Sequence, residues 1–351
     1  MQSAKSMSNT LKQKIQPGAH VPKHLTIVLT ASFLLIVLCV LASLAFGSRF
    51  VQWDQLMAGL FHSEVDSYGA TVVRERIPRT VFSFCCGAAL GVAGALMQAV
   101  TRNPIADPSI LGVNTGASLF VVCGIAFLNI STAGQYIWLA IAGAMVTAVF
   151  VYGIGSMGRG GATPLKLVLA GAATSAALSS LVSAVMIPRT TVMDEFRFWQ
   201  VGSVGAGSWS SIAAFLPFLV LGLVLALLSA PALNALALGD EVASGQGVRT
   251  GVLRMTAAFA GVILCGAATA LAGPIGFIGL LSAHLIRFIL GPDLRFIIPL
   301  SAVAGAVILT ISDVGGRLIG SPGELEVGVV TSFAGAPLLI LLAAGMKVRS
   351  L

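Results

Sequence analysis

Residues 86–94 read CGAALGVAG, and residues 265–273 read CGAATALAG, so that six of nine positions are identical. Both stretches lie inside long apolar runs, and their glycines and alanines recur at helical spacing. Small residues at this spacing let helix backbones approach closely in lipid, where no hydrophobic effect drives helices together. Short Ala/Gly matches arise easily in membrane helices, and the topology of the two copies therefore decides what they indicate.

The bulk composition is that of an integral membrane protein. The chain has 351 residues, of which 57% are hydrophobic and only 9% are charged, whereas soluble domains carry about 25% charged residues. The apolar runs are near the roughly 20 residues that a helix needs to cross a bilayer. They are longer than the ~10-residue alternating segments of an outer-membrane barrel. The predicted fold class is an all-α polytopic membrane protein.

Windows between polar breaks predict about ten transmembrane helices. These lie at residues 25–46, 80–100, 109–127, 134–155, 164–187, 209–229, 251–272, 275–290, 296–314 and 327–346. Residues 25–346 then form the permease domain, with short tails at 1–24 and 347–351. The first run is longer than the 7–15-residue core of a secretory signal, which favours a retained helix.

The two copies of the repeat fall in the second and seventh spans, and they therefore cross the membrane in opposite directions. This is an inverted-topology repeat, a common design in transporters, with spans 2–5 and 7–10 as its halves. If the N-terminus is inside, the inner segments hold thirteen of the 20 basic residues and four of the 13 acidic ones. The positive-inside rule therefore predicts that both termini are cytoplasmic.

Several kinds of site are absent from the sequence. The basic residues are scattered over the loops, so the net charge of +7 does not indicate nucleic-acid binding. The five cysteines lie in apolar runs without a CxxC pair, which argues against a disulfide framework or a zinc site. The sequence has no P-loop, HExxH or GxSxG motif. We expect a transport subunit without a cofactor rather than an enzyme.

The spans contain few ionisable residues, which secondary transporters need for ion or proton pathways. The sequence therefore argues against an ion-coupled carrier, and the energy for transport is expected to come from another subunit. A membrane scaffold or sensor is a third alternative, which predicts no flux.

Polar segments between spans carry the remaining information. Thr101–Pro108 contains two prolines that favour a rigid turn. The long loop Pro231–Thr250 contains a short helix-like run that begins with Asp240 and Glu241, residues suited to the positive end of a helix. That run fits either a docking element or an idle surface helix.

Taken together, these segments resemble the permease subunits of type II ABC importers, the FecCD family of iron–siderophore, haem and cobalamin uptake. The resemblance covers nearly the whole chain beyond residue 45. It rests on Arg76–Thr80, Gly87–Gly94, Gln98, Thr101–Pro108, Leu111–Val113, Leu169–Gly171, Phe198–Ser203, Leu236–Val248, Gly273–Leu280, His284, Gly328–Thr331 and Gly335–Pro337.

The resemblance implies ten helices per subunit, a second permease that is identical or paralogous, a cytoplasmic ATPase dimer and an extracytoplasmic substrate-binding protein in a bacterial cytoplasmic membrane. It implies alternating access, with ferric siderophore as the preferred cargo and haem or cobalamin as alternatives. The implied ATPase-coupling residues are Leu238, Gly239, Asp240, Glu241, Val242 and Ala243. The implied binding-protein docking residues are Arg76, Arg79 and Arg317. The implied cytoplasmic gate residues are Asn103, Pro104, Ile105, Thr163 and Pro164.

Overall fold

A computed structural model describes residues 25–61, 67–158 and 164–345 as thirteen α-helices. The helices are α1 Leu25–Ala45, α2 Trp53–Phe61, α3 Tyr68–Thr101, α4 Val113–Leu128, α5 Ala133–Ser156, α6 Pro164–Met186, α7 Thr190–Val201, α8 Trp209–Ala237, α9 Asp240–Gly245, α10 Thr250–Ala272, α11 Ile278–Leu290, α12 Leu294–Ile319 and α13 Val327–Gly345. A 3₁₀ turn at Pro108–Leu111 precedes α4. The predicted tails, 1–24 and 347–351, lie outside the described residues.

The ten predicted spans correspond in order to ten of these helices. Seven helices are long and apolar enough to cross a membrane: α1, α3, α5, α6, α8, α10 and α12. Three more, α4, α11 and α13, are shorter apolar helices. The part of the chain that the structure describes contains no strand. The all-α fold class is therefore confirmed.

Several helices extend beyond the apolar windows that predicted them. The helix α3 begins at Tyr68, about three turns before the predicted span, and the Ser67 hydroxyl caps it by accepting from the Ala70 N–H at 3.2 Å. The helix α8 continues to Ala237 and α12 to Ile319. A hydropathy window ends where polar residues begin, whereas a capped helix continues through them.

Two helices, α2 and α7, were not predicted. They have nine and twelve residues, too few to cross a bilayer. Both nevertheless pack on the bundle. In α2, Leu56 is buried, and in α7, Phe196 is fully buried. The Trp199 indole of α7 donates to the Ala270 carbonyl of α10 at 3.0 Å.

The packing of the helices repeats between two halves of the chain. The helices α3 and α10 pack against each other, and α8 lies against both. The helix α3 packs on α12 and α11 in the way that α10 packs on α5 and α4. Likewise, α12 contacts α11 and α13 as α5 contacts α4 and α6. The two halves, α3–α6 and α10–α13, are those that the sequence repeat predicted.

The two central helices run in opposite directions. The Asp240 carboxylate binds both Arg102, directly after α3, and Arg254, near the start of α10. At the other end of the bundle, the Ser203 N–H donates to the Ala272 carbonyl at the end of α10, at 2.7 Å. The repeat is therefore inverted, as predicted. We call the two ends of the bundle the Asp240 end and the Arg317 end.

The glycines of the first repeat lie where α3 touches its neighbours. A Cβ atom on Gly91 would lie 2.1 Å from the Ser301 carbonyl oxygen of α12, and one on Gly94 would lie 2.3 Å from the Gly279 backbone of α11. Gly87 lies similarly close to the Gly305 carbonyl oxygen. The backbones are therefore in direct contact, which is the close approach expected from the small-residue pattern.

We predict that Gly91→Ala destabilises the bundle by about 1–3 kcal/mol, the usual cost of overpacking, since the methyl group would meet a backbone oxygen. The matched control is Gly153→Ala, because a Cβ atom there meets nothing within 4 Å and alanine favours helix. Thermal melting of the two purified variants in one detergent measures the difference. Equal melting temperatures would show that α3 and α12 are not in this contact.

Candidate docking, coupling and gate sites

At the Arg317 end, two arginines bind the C-terminal end of α1. The last carbonyls of a helix have no partner within that helix. The Arg76 guanidinium donates to the Leu44 and Ala45 carbonyls at 2.8 and 3.2 Å. The Arg317 guanidinium donates to the Ser43 carbonyl at 3.0 Å. Positive charge at this end also complements the helix dipole. The arginines therefore attach α1 to α3 and α12.

Next to this helix end lies a buried ionic cluster. The Asp313 carboxylate pairs with Arg79 at 2.7 Å and with Arg317 at 3.0 Å. The side chains of Asp313 and Arg317 are only 3% and 2% exposed. Glu324, which is more exposed, binds the other side of the Arg79 guanidinium at 2.7 Å. Buried charges are tolerated when they are paired in this way. Asp313 is therefore neutralised by two arginines.

Arg76 and Arg317 are buried, and their role as docking residues stays a prediction. Their guanidinium groups lie in the interior and donate to carbonyls of the same chain. An arginine in an outer segment can satisfy a helix end as readily as it can face an acidic partner, and only its surroundings distinguish the two cases. Arg79 differs, since it lines an open cavity of about 440 Å³ together with Trp199, Glu324 and Glu326.

At the Asp240 end, the predicted coupling residues Asp240–Ala243 lie in α9, and Leu238 and Gly239 directly precede this helix. Gly239 has φ of 124°, a conformation that side-chain-bearing residues rarely adopt, and it turns the chain sharply from α8 into α9. Ala243 is fully buried and anchors the helix. By contrast, Leu238 and Val242 are 69% and 45% exposed. The helix is therefore held by Ala243, while Val242 and the preceding Leu238 present apolar side chains to the outside.

Asp240 connects α9 to two other segments. Its carboxylate accepts from Arg102, the residue that follows α3, and from Arg254 of α10 at 2.9 Å. The Arg102 guanidinium also donates to the Leu236 carbonyl, near the C-terminal end of α8. The Arg102 side chain thus binds residues on both sides of Gly239, namely Leu236 and Asp240.

The predicted gate residues Asn103–Ile105 form a compact turn, which we call the gate loop. The Asn103 N–H donates to the Gln98 carbonyl at 3.2 Å, and the Asn103 side chain accepts from the Ile105 N–H at 3.1 Å. Ile105 is 41% exposed. Pro164 begins α6, while Thr163 lies outside the described residues. That these two residues join the gate loop in one gate stays a prediction.

Sequence reasoning missed Arg102, Arg254, Asp313 and Glu324. Arg102 and Asp240 are 138 positions apart, and no local pattern relates them. Asp313 and Arg317 do carry a signal, because residues four apart lie on the same face of a helix. The predicted span ended at residue 314, which separated these two residues.

Within the described ranges, no cluster of His, Cys, Asp and Glu side chains could hold a metal ion. Cys39, Cys86 and Cys265 are buried. The Cys265 thiol contacts the Asn114 side-chain oxygen at 3.5 Å and takes part in packing between α4 and α10.

The chain is similar to a known protein family and to individual curated proteins. The model of the FecCD transport family matches residues 34–344. The chain is 38% identical to the probable siderophore transport system permease protein YfiZ of Bacillus subtilis (strain 168), over 90% of this chain and 95% of that protein. It is 40% identical to the ferric enterobactin transport system permease protein FepD of Escherichia coli (strain K12), over 88% of this chain and 92% of that protein.

A solved structure supports the same relationship. It is described as an inward-facing conformation of a metal-chelate type ABC transporter, and it superposes with a TM-score of 0.78 at 25% sequence identity. The match covers 92% of this chain and 99% of that one. The fold is therefore that of an ABC permease, and the chain is a multi-pass membrane protein.

We predict that Arg317→Met lowers the free energy of unfolding by about 3–5 kcal/mol, because it leaves buried Asp313 with one partner fewer. The measurement is thermal melting of the purified chain. Arg189→Met is the control, since Arg189 lies over the Phe127 ring at the surface, outside this cluster. A melting temperature unchanged by Arg317→Met would contradict the structural role of Arg317.

Proposed function

Because the chain belongs to the FecCD transport family, we propose that it is the transmembrane permease subunit of an ATP-driven importer of ferric siderophores. ATP hydrolysis is supplied by a separate ATPase partner, and the chain itself is not an enzyme. The cargo assignment draws on the relatives named for siderophore and ferric enterobactin transport. Haem and cobalamin import by the same mechanism is the alternative.

The Asp240 end is assigned to the cytoplasm. The segments at this end carry a surplus of basic residues, namely Arg102, Arg249, Arg254, Arg287 and Arg295. Lysine and arginine near span ends are retained on the cytoplasmic side. The N-terminus, which precedes the inner end of α1, lies on that same side, and an even number of spans returns the C-terminus to it.

The exposed apolar side chains of Val242 in α9 and of Leu238 just before it carry the proposal. Leu238 and Val242 face away from the chain at an end that is otherwise rich in charge. Exposed apolar side chains on and directly before a short anchored helix suit insertion into a cleft of a partner. We assign that cleft to one subunit of a cytoplasmic ATPase dimer, and α9 is then the coupling helix.

The Arg317 end faces outward and receives the loaded binding protein. Among the predicted docking arginines, Arg79 lines an open cavity there beside Glu324 and Glu326, which supports docking at this cavity. Two permeases, identical or paralogous, enclose the pathway. Docking of the binding protein outside and ATP binding by the ATPase inside then open the pathway alternately to the two sides of the membrane. The gate loop closes its cytoplasmic side.

We expect Leu238→Asp combined with Val242→Asp to abolish co-purification of the ATPase, because charged groups cannot enter an apolar cleft without a large desolvation cost. Both side chains are exposed, so the fold should be retained. The control is Gln246→Asp, which adds charge directly after α9 without removing apolar surface. If the ATPase co-purifies undiminished with the double variant, α9 is not the coupling helix.

For the cargo, we expect cells that depend on this permease to accumulate radiolabelled iron supplied as ferric siderophore, and to stop when the ATPase is deleted. Haem and cobalamin uptake are measured in the same cells. Uptake of haem or cobalamin in place of iron would contradict the assignment of ferric siderophore as the cargo. Uptake that persists without the ATPase would point to an ion-coupled carrier and contradict the proposed mechanism.

A further inference from the structure

The gate loop and the coupling helix are joined by one side chain. The hydrogen bonds of the loop backbone are local, since the Asn103 N–H binds the end of α3 and the Ala106 N–H binds the Asn103 carbonyl at 3.1 Å. Arg102, immediately before the loop, instead reaches out to Asp240, the first residue of α9. A movement of α9 therefore has a direct route to the loop.

The backbone of Arg102 makes it suited to this role. Its φ of 51° lies in the left-handed region, and its N–H still donates to the Gln98 carbonyl as the cap of α3. The chain turns at Arg102. A small displacement of the Arg102 side chain would therefore change the direction in which the gate loop leaves α3. Because the side chain binds both Leu236 and Asp240, it is held by the segments on either side of the Gly239 turn.

Arg254 provides a comparison within the same contact. It donates to the same oxygen of Asp240 at 2.9 Å, but it belongs to α10, the helix that follows α9 in the chain. Its contact therefore binds α9 to its own continuation. Both arginines bind Asp240, but Arg102 connects α9 to the gate loop, whereas Arg254 connects α9 to α10.

The contact is placed to transmit movement more than to stabilise the fold. The side chains of Arg102 and Asp240 are 37% and 48% exposed. Ion pairs with this degree of exposure contribute little to stability. Removal of Arg102 should therefore leave both the fold and α9 intact, while it separates the loop from the helix.

We propose that Arg102 is a positioning residue that transmits the movement of the coupling helix to the gate loop through Asp240. This inference rests on the proposed function, since it takes α9 as the element that the ATPase moves. Arg102 acts through the loop that follows it.

The test uses the assembled transporter in liposomes, with an added thiol at exposed Ile105 as reporter of the gate loop. A membrane-impermeant maleimide labels Ile105→Cys with and without ATP, and the chain without this added cysteine gives the background. ATP should change the labelling rate. With Arg102→Ala added, that change should disappear and iron–siderophore uptake should fall about tenfold. ATP hydrolysis and co-purification of the ATPase should continue. Arg254→Ala should keep the ATP-dependent change.

Each other outcome overturns a specific claim. If Arg102→Ala keeps the ATP-dependent labelling and uptake, Arg102 does not transmit the movement. If Arg102→Ala releases the ATPase, or if Arg254→Ala has the same effect on labelling, the contact only supports the fold of α9. If Ile105→Cys alone assembles and hydrolyses ATP without any change in labelling, the link fails while the proposed function stands. Failure of the parent chain to bind any ATPase instead removes the proposed function itself.

Discussion

The packing depends on how closely the backbone of α3 approaches its neighbours. Hydrocarbon offers no hydrophobic drive between helices, so van der Waals contact and polar interactions must hold the bundle together. The glycines on α3 allow that contact, since its backbone lies against the backbones of α11 and α12 at Gly279, Ser301 and Gly305. With α3 held in this way, α10 packs beside it in the reverse direction, and the two halves of the chain are arranged around this pair.

The ion pairs of the described bundle lie at its ends, where helices stop and carbonyls lose their partners. At one end, Arg76 and Arg317 complete the last turn of α1, and Asp313 balances the buried charge. At the other end, Arg102 and Arg254 converge on Asp240. The first cluster is buried and suited to holding helices together. The second is partly exposed and can rearrange more easily, which fits the proposed cytoplasmic end where force from the ATPase enters.

This contrast also separates the two groups of arginines in function. In the buried cluster, any displacement of Arg317 would leave an uncompensated charge, and the cost of that resists motion. At Asp240, water can replace a lost partner at little cost. The cluster at the Arg317 end therefore acts as a fixed frame that includes α1. The cluster at the Asp240 end can follow α9, the proposed coupling helix, which is also anchored by buried Ala243.

Much of the architecture was predictable from the sequence, because the features that define a membrane helix are local in the sequence. Each span must supply its own apolar residues and satisfy its own backbone hydrogen bonds, so a local window finds it. The repeat at residues 86–94 and 265–273, placed in the second and seventh spans, also indicated the inverted topology. The short apolar helices α4, α11 and α13 appeared in the same windows, and the assignment of the coupling segment, which stays a proposal, came from its resemblance.

The tertiary structure alone decided which polar residues are buried and which pairs meet. Arg76 and Arg317 read as outward-facing cations in the sequence, yet both lie inside against the end of α1. The helices α2 and α7 escaped the windows, since neither has the length of a span. Arg102 meets Asp240 across 138 positions. The physical reason is common to all of these cases: burial and ion pairing depend on segments brought together by packing, and a one-dimensional pattern does not contain that information.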